Sequence, residues 1–513
     1  MRVDIGSLRM ELGSQREDIG SQRAKAQISN RTRNMGNAVF DVTIPISGDD
    51  ILIDNIAQLD SALEKVYKPF MRVDNTLNRK IVSFQANKSL PFYRWYKYKE
   101  GFSAHLVEYY IRRRGIDATK KLLDPFVGSG ATLFCASDLG IDALGIELLP
   151  IGQHIIKARD LLNHFSYDDF ETLVQWKNKK PWIEHQGQQN FTVLKITNGA
   201  YSEENSDLIK KFLSCMQKEN ENLQTVLLLA LFCILESISF TRKDGQYLRW
   251  DQRSGRCLGA LPFNKGEIPN FNDAITEKLE EIIQDVRGGV NDALFNFPPP
   301  SIQKGNVTII GGSCLRELPR LNEKSVDLVI TSPPYCNRYD YTRTYALELA
   351  MLGVDETKLA KLRQEMLSCT VENREKDLLG LNPAWVSPLS MCDNHELLQR
   401  ILAYLYSKKE NKTLNNNGIP RMVKGYFYEM ACVVYELYRV LRSGGEVVMV
   451  NDNVRYAGVS ISVDLILADI AAKVGFQIEE ISVLPIGKGN SSQQMGIYGK
   501  ESLRKCVYIW RKN

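Results

Sequence analysis

The chain has 513 residues, 44% of them hydrophobic and 25% charged, and a net charge of +4. That length exceeds what one hydrophobic core organises, so we expect two domains or one domain with long insertions. The weak positive charge permits a nucleic-acid partner without requiring one. The sequence has no apolar run of eighteen residues and no signal peptide, which predicts a cytoplasmic protein that does not cross a membrane.

The cysteines and histidines do not indicate a metal site. Ten cysteines stand singly and five histidines are dispersed along the chain, without the spacings typical of zinc ligands. We therefore expect reduced, packed thiols, no metal ion and no histidine catalyst.

Three seven-residue units, GSLRMEL, GSQREDI and GSQRAKA, follow one another at positions 6–26. Their apolar positions recur every seven residues, as on one stripe of a short helix. A glycine in each unit costs such a helix about 1 kcal/mol. We expect residues 1–36 to be a flexible or marginally helical extension, and residues 37–150 to begin the main domain.

A glycine-rich turn, DPFVGSGAT, connects the first predicted buried strand to a helix. Gly128 and Gly130 allow the backbone to pass close to a ligand and point its N–H groups there. The pattern matches neither the dinucleotide nor the phosphate-binding glycine motif, and a simple tight turn looks similar. Asp124, at the strand end, suits a ligand with a cationic or amine group better than a pyrophosphate.

The next strand ends in GIELLP, which places Glu147 at its carboxyl end. Rossmann-type sites use an acid at this position to bond ribose hydroxyls. A helix N-terminal charge is the plainer alternative. The glycine turn about twenty residues upstream favours the ribose interpretation.

Residues 151–304 have a helical pattern and form a predicted insertion, the candidate DNA-recognition region. Within it, TRKDGQYLRWDQRSGR mixes basic and aromatic side chains, a combination that suits phosphates and an unstacked base. The alternative is a solvated loop whose aromatic residues pack on the preceding helix. The candidate DNA-binding residues are Arg242, Lys243, Tyr247, Arg249, Trp250, Arg253 and Arg256.

Strand character returns in residues 305–345, where SVDLVI runs into TSPPY. Two prolines end the strand firmly and fix the backbone that follows. The Ser332 hydroxyl and the Pro333 carbonyl can accept the two N–H bonds of an exocyclic base amine, while Pro334 stiffens the turn and Tyr335 stacks on a flipped base.

RYDYTRTY follows directly and leads into a second predicted helical insertion, residues 346–420. Arg338 and Arg343 are candidates for the DNA backbone, and Tyr339 and Tyr341 for the walls of a base pocket. A half-buried helix start is the alternative. Residues 421–513 complete the main domain, with a polar, glycine-rich stretch, GKGNSSQQMGIYGK, that is either a loop over the site or a surface hairpin.

Strands alternating with helices predict an α/β protein with a mostly parallel, doubly wound sheet of Rossmann type, interrupted by helical insertions. In such a sheet, ligands bind at the carboxyl ends of the strands. The glycine turn, Glu147 and SPPY would then share one cleft.

The combination of DPFVGSGAT and TSPPY resembles the S-adenosylmethionine-dependent amino-methyltransferases that modify DNA bases. The family pattern at the second motif is Asp, Asn or Ser, then Pro-Pro, then an aromatic residue. The serine form is most similar to the cytosine-N4 branch. The resemblance implies the methyltransferase form of the Rossmann-like fold, S-adenosylmethionine as cofactor, double-stranded DNA as substrate and a cognate restriction endonuclease as partner.

The resemblance also implies roles for residues of this chain. Asp124 and the glycine turn would hold the methionine part of the cofactor, Glu147 its ribose and Ser313 its adenine ring, with Phe102 nearby. The implied cofactor-binding residues are Phe102, Asp124, Pro125, Phe126, Gly128, Ser129, Gly130, Thr132, Glu147 and Ser313. Direct transfer is implied, without a covalent enzyme intermediate, so Cys336 is expected to be a packed thiol.

Three other functions remain open from the sequence. Adenine-N6 methylation uses the same chemistry, since serine favours cytosine without deciding it. An RNA base methyltransferase would need an RNA-binding module, and the sequence contains no recognisable one. A non-catalytic DNA-binding subunit would have no need for the glycine turn, Glu147 and SPPY together.

Overall fold

The computed structural model describes residues 48–78, 80–162, 165–244, 247–256, 262–295, 303–485 and 503–513. The compact unit that contains the sheet runs from Leu52 to Asn513. The seven-residue repeat and the GKGNSSQQMGIYGK stretch lie outside the described residues.

Among the described residues, eight strands form one mixed, mostly parallel sheet, and four more form two small hairpins. In chain order the strands are β1 Met71–Val73, β2 Lys121–Asp124, β3 Asp142–Glu147, β4 Thr241–Asp244, β5 Tyr247–Trp250, β6 Val307–Gly311, β7 Val326–Thr331, β8 Leu441–Asp452, β9 Val454–Tyr456, β10 Val459–Ile461, β11 Phe476–Val483 and β12 Lys505–Lys512. The order across the sheet is β6-β3-β2-β7-β8-β12-β11-β1, and only β12 runs antiparallel to its neighbours. The prediction of a mostly parallel α/β sheet is confirmed.

Helices cover both faces of this sheet. The α-helices are α1 Gly48–Tyr67, α2 Ala104–Arg113, α3 Ala131–Asp138, α4 Pro150–Leu161, α5 Tyr167–Lys179, α6 Glu203–Met216, α7 Glu221–Ile238, α8 Phe271–Phe295, α9 Cys314–Glu317, α10 Tyr341–Thr344, α11 Ala346–Met351, α12 Glu356–Glu365, α13 Leu378–Leu381, α14 Val386–Asp393, α15 Glu396–Glu410, α16 Ile419–Val440 and α17 Val463–Val474. Short 3₁₀ turns lie at Lys68–Phe70, Phe84–Ser89, Gln252–Ser254, Leu318–Arg320 and Pro383–Trp385.

The strands are apolar on both sides because both sides are buried. In β7, Leu328 and Ile330 belong to a core shared with α2 and α3, whereas Val329 belongs to the core on the opposite face with α16 and α17. Alternate residues of a strand point to opposite faces. The continuous run VDLVIT is thus the pattern of a central parallel strand.

The chain reverses its direction of winding at β2. From β2 it proceeds through β3 to β6 on one side, and β7 then lies on the other side of β2. The carboxyl ends of β2 and β7 therefore border the crevice where open α/β sheets bind ligands.

A separate helical core is built by α5 to α8, with Trp176, Trp182, Phe212 and Phe271 packed edge to face or stacked. Its central helix, α7, is long and apolar enough to cross a membrane by length and composition. That helix is 61% buried within the molecule, and its apolar side chains fill this core.

A buried ion pair joins the first hairpin to the segment after SPPY. Lys243 Nζ of β4 lies 2.5 Å from Glu348 Oε1 of α11, and their side chains are 4% and 0% exposed. The Tyr96 hydroxyl donates to the same carboxylate at 2.9 Å, and the Tyr345 ring centroid lies 4.7 Å from the ammonium. The pair fixes the hairpin against α11.

Replacing either partner alone, by Lys243→Met or Glu348→Met, leaves a buried charge without its counterion. We expect each change to cost about 3–5 kcal/mol in the free energy of unfolding, and the double change to cost less than either. Urea unfolding measures all three. The exposed pair Lys157–Glu221 is the control, and Lys157→Met should have little effect. Additive losses in the double variant would contradict this.

Candidate active site

A cleft opens at the carboxyl ends of β2, β3, β6 and β7. Most residues that the sequence assigned to the cofactor or to the transfer step line it. They are Phe102, Asp124, Pro125, Phe126, Gly128, Ser129, Thr132, Glu147, Ser313, Ser332 and Pro334. The structure thus brings the glycine turn and SPPY into one cavity.

The glycine turn needs its glycines for two reasons. Gly128 and Gly130 have φ values of +56° and +83°, in the left-handed region that favours glycine. A side-chain carbon on Gly128 would stand 2.8 Å from the Tyr98 ring, and one on Gly130 would stand 2.9 Å from the Phe134 ring. The turn is therefore pressed against aromatic rings.

Asp124 ties this turn to β7. Its Oδ1 accepts hydrogen bonds from the Thr331 hydroxyl at 2.7 Å and from the Phe126 N–H at 3.1 Å, and its Oδ2 accepts from the Thr132 hydroxyl at 2.7 Å. Burial raises the pKa of this carboxyl to about 6, although these three hydrogen bonds oppose the rise. Three of the roughly four acceptor positions of a carboxylate are used inside the protein. These bonds leave one acceptor position on Oδ2 unused.

Glu147 is held in a similar way at the end of β3. Its Oε2 accepts from the Gly128 N–H at 2.8 Å and its Oε1 from the Leu149 N–H at 2.7 Å. Burial raises the pKa of this carboxyl to about 7, with hydrogen bonds from backbone N–H groups opposing the rise. Gly152 allows this contact, because a side-chain carbon there would meet Glu147 Cγ at 2.7 Å. Each of these two bonds uses one of the roughly two acceptor positions of a carboxylate oxygen.

Ser332 and Pro334 reach the cleft, Pro333 is buried, and Tyr335 lies half-buried behind Ser332. The Ser332 hydroxyl donates to the Tyr335 hydroxyl at 3.1 Å. The hairpin of β9 and β10 contacts the segment that follows SPPY, because the Tyr456 hydroxyl donates to the Cys336 carbonyl at 2.7 Å. Cys336 is fully buried and its thiol pKa is raised by burial, as a packed thiol requires.

Two parts of the cleft wall are not among the site residues predicted from the sequence. One is Glu365 to Leu367, at the end of α12 in the second insertion, where the Glu365 carbonyl accepts from the Ser313 hydroxyl at 2.8 Å. The other is Tyr98, whose ring stacks on Tyr345 with centroids 5.1 Å apart. Both depend on contacts between distant segments, which no local motif records.

Glu100 holds the segment that follows SPPY. Its carboxylate accepts hydrogen bonds from the hydroxyls of Tyr339 and Tyr345. The Tyr339 and Tyr341 rings meet edge to face at 4.9 Å, and Tyr341 lines the cleft. These tyrosines form a wall beside Ser332.

The two arginines of this segment differ in their surroundings. Arg343 is paired with Glu372 at 2.7 Å and with Asp340 at 3.3 Å, and buried Asp340 caps α10. Arg338 is half-buried and has a φ of +68°. That strained backbone costs of order 1 kcal/mol or more.

The hairpin of β4 and β5 exposes only some of the residues that the sequence predicts to bind DNA. Arg242 and Arg249 are exposed and face each other in register, and β5 packs against α10 beside the cleft. Lys243 and Trp250 alternate with them and are buried, so neither is placed to contact a phosphate. The prediction that Lys243 and Trp250 bind DNA is therefore corrected. They are buried because alternate residues of a strand point to opposite faces.

The other candidate DNA-binding residues of this segment differ in how strongly their side chains are held by neighbouring groups. Arg253 binds both oxygens of Asp251, at 2.7 and 2.9 Å, and Arg256 lies 4.1 Å from the Trp250 ring centroid. Tyr247 belongs to β5, and its side chain is outside the described ones. In the described part of the chain no group of three or more His, Cys, Asp or Glu side chains is placed to hold a metal ion.

The sequence is similar to two Type II methyltransferases over most of its length. It is 53% identical to the Type II methyltransferase M.AvaI of Nostoc sp. (strain PCC 7120 / SAG 25.82 / UTEX 2576) over 464 residues, 90% of this chain and 95% of that protein. It is 41% identical to the Type II methyltransferase M.BsoBI of Geobacillus stearothermophilus over 473 residues, 88% of this chain and 91% of that protein. The chain belongs to the Type II methyltransferase family. No protein-family model matches the sequence.

The likeness to these Type II methyltransferases is not confined to the two short motifs. A match over 90% of the chain cannot omit either helical insertion whole. Each insertion is therefore at least partly included in the match to these relatives.

Asp124→Asn tests the buried carboxyl of this methyltransferase. The side-chain pKa is 3.8 in its ordinary state and about 6 in the fold, so the folded protein loses stability as the pH rises through this interval. We expect wild type to lose about 2 kcal/mol in this way between pH 4 and pH 7, and Asp124→Asn to lose none of it. Urea unfolding at both pH values measures the difference, with exposed Asp54→Asn as control. Equal losses in all three proteins would contradict the assignment.

Proposed function

We propose that this Type II methyltransferase transfers a methyl group from S-adenosylmethionine to the exocyclic N4 amine of cytosine in double-stranded DNA, at a defined sequence in the cytoplasm. The observation that carries the proposal is the position of SPPY. Ser332 leaves β7 at the reversal of the sheet and shares its cleft with the glycine turn and Glu147.

The cofactor is assigned by the chemistry of the cleft. Glu147 retains an acceptor position on each oxygen, which suits the two hydroxyls of a ribose. Asp124 retains one acceptor position, which suits the amine of the methionine part. Met366 and Leu367 offer an apolar wall, with Ser313 beside it as the polar neighbour of an adenine ring.

The transfer step is assigned to groups around Ser332. The lone pair of a base amine is delocalised into the ring, so the amine is a weak nucleophile. The Ser332 hydroxyl and the Pro333 carbonyl accept its two N–H bonds and localise the lone pair towards the methyl group. The methylated ammonium is strongly acidic and loses its proton to water, so no dedicated base is required.

DNA contact is assigned to the hairpin and to the segment after SPPY. Arg242 and Arg249 are exposed beside the cleft, and Tyr339 and Tyr341 form a wall that a flipped base would meet. The names of the relatives place them in Type II systems, which supports a cognate restriction endonuclease as the functional partner of this chain.

Purified protein, labelled S-adenosylmethionine and unmethylated genomic DNA test the proposal directly. We expect N4-methylcytosine when the product is digested to nucleosides and identified by mass. N6-methyladenine would overturn the base assignment and keep the mechanism. Transfer only to RNA in a parallel reaction would overturn the substrate class, and cofactor binding without any transfer would favour a non-catalytic subunit.

Ser332→Ala is the matched control for that assay. It removes one acceptor of the amine and leaves the cofactor-lining groups in place. Turnover should fall about a hundredfold or more, while the cofactor Kd changes little. Equal losses in both would contradict the role of Ser332.

Arg242→Ala with Arg249→Ala tests the hairpin. If both side chains neutralise phosphates, the slope of log Kd against log salt concentration should fall by up to about 2. Turnover at saturating DNA should stay close to wild type. Arg112→Ala is the control, since Arg112 is exposed in α2 and pairs with Glu108. An unchanged salt slope would remove the hairpin from the DNA interface.

A further inference from the structure

Lys505 lies behind the SPPY turn and is not part of any motif. It is the first residue of β12 and pairs in register with Asp452, the last residue of β8. Its Nζ lies 3.3 Å from Asp452 Oδ1 and 5.4 Å from the centroid of the Tyr335 ring. The ion pair between Lys505 and Asp452 does not need Tyr335. The contact between Lys505 and Tyr335 therefore points to a second role for Lys505.

The Tyr335 hydroxyl connects Lys505 to Ser332. It accepts the hydrogen bond of the Ser332 hydroxyl at 3.1 Å, and Lys505 interacts with the same hydroxyl. Burial lowers the pKa of Lys505, but Tyr335 and Asp452 raise it by more, so its net pKa is above the ordinary value. The ammonium is therefore charged throughout the neutral pH range.

This arrangement fixes the direction of the Ser332 hydroxyl hydrogen, which decides whether Ser332 can accept a hydrogen bond from the target amine. A serine hydroxyl rotates among staggered positions and has one hydrogen and two acceptor lone pairs. When the hydrogen is committed to Tyr335, both lone pairs are left for an incoming amine. When it is not, the hydroxyl can turn its hydrogen towards the amine and oppose the reaction.

We propose that Lys505 and the Tyr335 hydroxyl are positioning groups that hold Ser332 as an acceptor for the target amine. The hydroxyl of Tyr335 serves Ser332. Lys505 acts through that hydroxyl and does not touch the substrate. This inference rests on the proposed function of Ser332.

Tyr335→Phe, Lys505→Met and the double variant test the inference, with exposed Tyr167→Phe as the control for loss of a hydroxyl. Tyr335→Phe keeps the ring, so the Kd for DNA and for S-adenosylmethionine should stay within about twofold of wild type. Turnover should fall about tenfold, the effect of one lost hydrogen bond. Lys505→Met should lower turnover to a similar extent.

The double variant distinguishes a loss of Ser332 positioning from a general loss of structure. Because Lys505 acts through the hydroxyl, its removal should have no further effect in the Tyr335→Phe background, and Lys505→Arg should restore most of the activity. Wild-type turnover in Tyr335→Phe, or additive losses in the double variant, would overturn the inference. A wild-type protein that methylates no DNA would instead overturn the proposed function, so the two failures are distinguishable.

Discussion

The carboxylate of Asp124 is the contact on which the arrangement of the site depends. It belongs to β2, and it receives hydroxyl hydrogens from Thr132 on α3 and from Thr331 on β7. These three elements come from either side of the point where the sheet reverses. One buried side chain therefore sets the distance between the glycine turn and SPPY, because Ser332 directly follows Thr331. A parallel sheet alone would align the strand ends without fixing that distance.

The cleft is completed by segments that lie far apart in the sequence. Tyr98 and Glu100 precede α2, yet they contact Gly128, Tyr339 and Tyr345. Glu365 to Leu367 end a helix of the second insertion and meet Ser313. The insertions are thus structural parts of the site as well as candidate DNA surfaces. The buried pair Lys243–Glu348 connects the segment that carries the tyrosine wall beside Ser332 to the hairpin that presents Arg242 and Arg249.

Local patterns in the sequence were sufficient for some features and not for others. The apolar run VDLVIT ending in two prolines defines a central strand and its end, and Gly128 and Gly130 define a turn whose conformation needs glycine. Those signals are contained in consecutive residues. Lys243 was misplaced because the segment was interpreted by composition, whereas its alternation with Arg242 on a strand would have separated a buried residue from an exposed one. No pattern could reveal Glu365–Leu367 as a wall, since its place depends on a contact about fifty residues away with Ser313.

The two buried carboxyls also explain why such a site should be closely coupled to its ligand. Burial raises the pKa of Asp124 to about 6 and that of Glu147 to about 7, which means that burial disfavours the charged form of each carboxyl. Internal N–H and hydroxyl donors compensate only in part. A ligand that brings an amine to Asp124 and two hydroxyls to Glu147 supplies donors at the positions still open, and so stabilises the charged forms. The same carboxylates hold the glycine turn and β7, so the groups with unused acceptor positions are also the groups that fix where Ser332 lies.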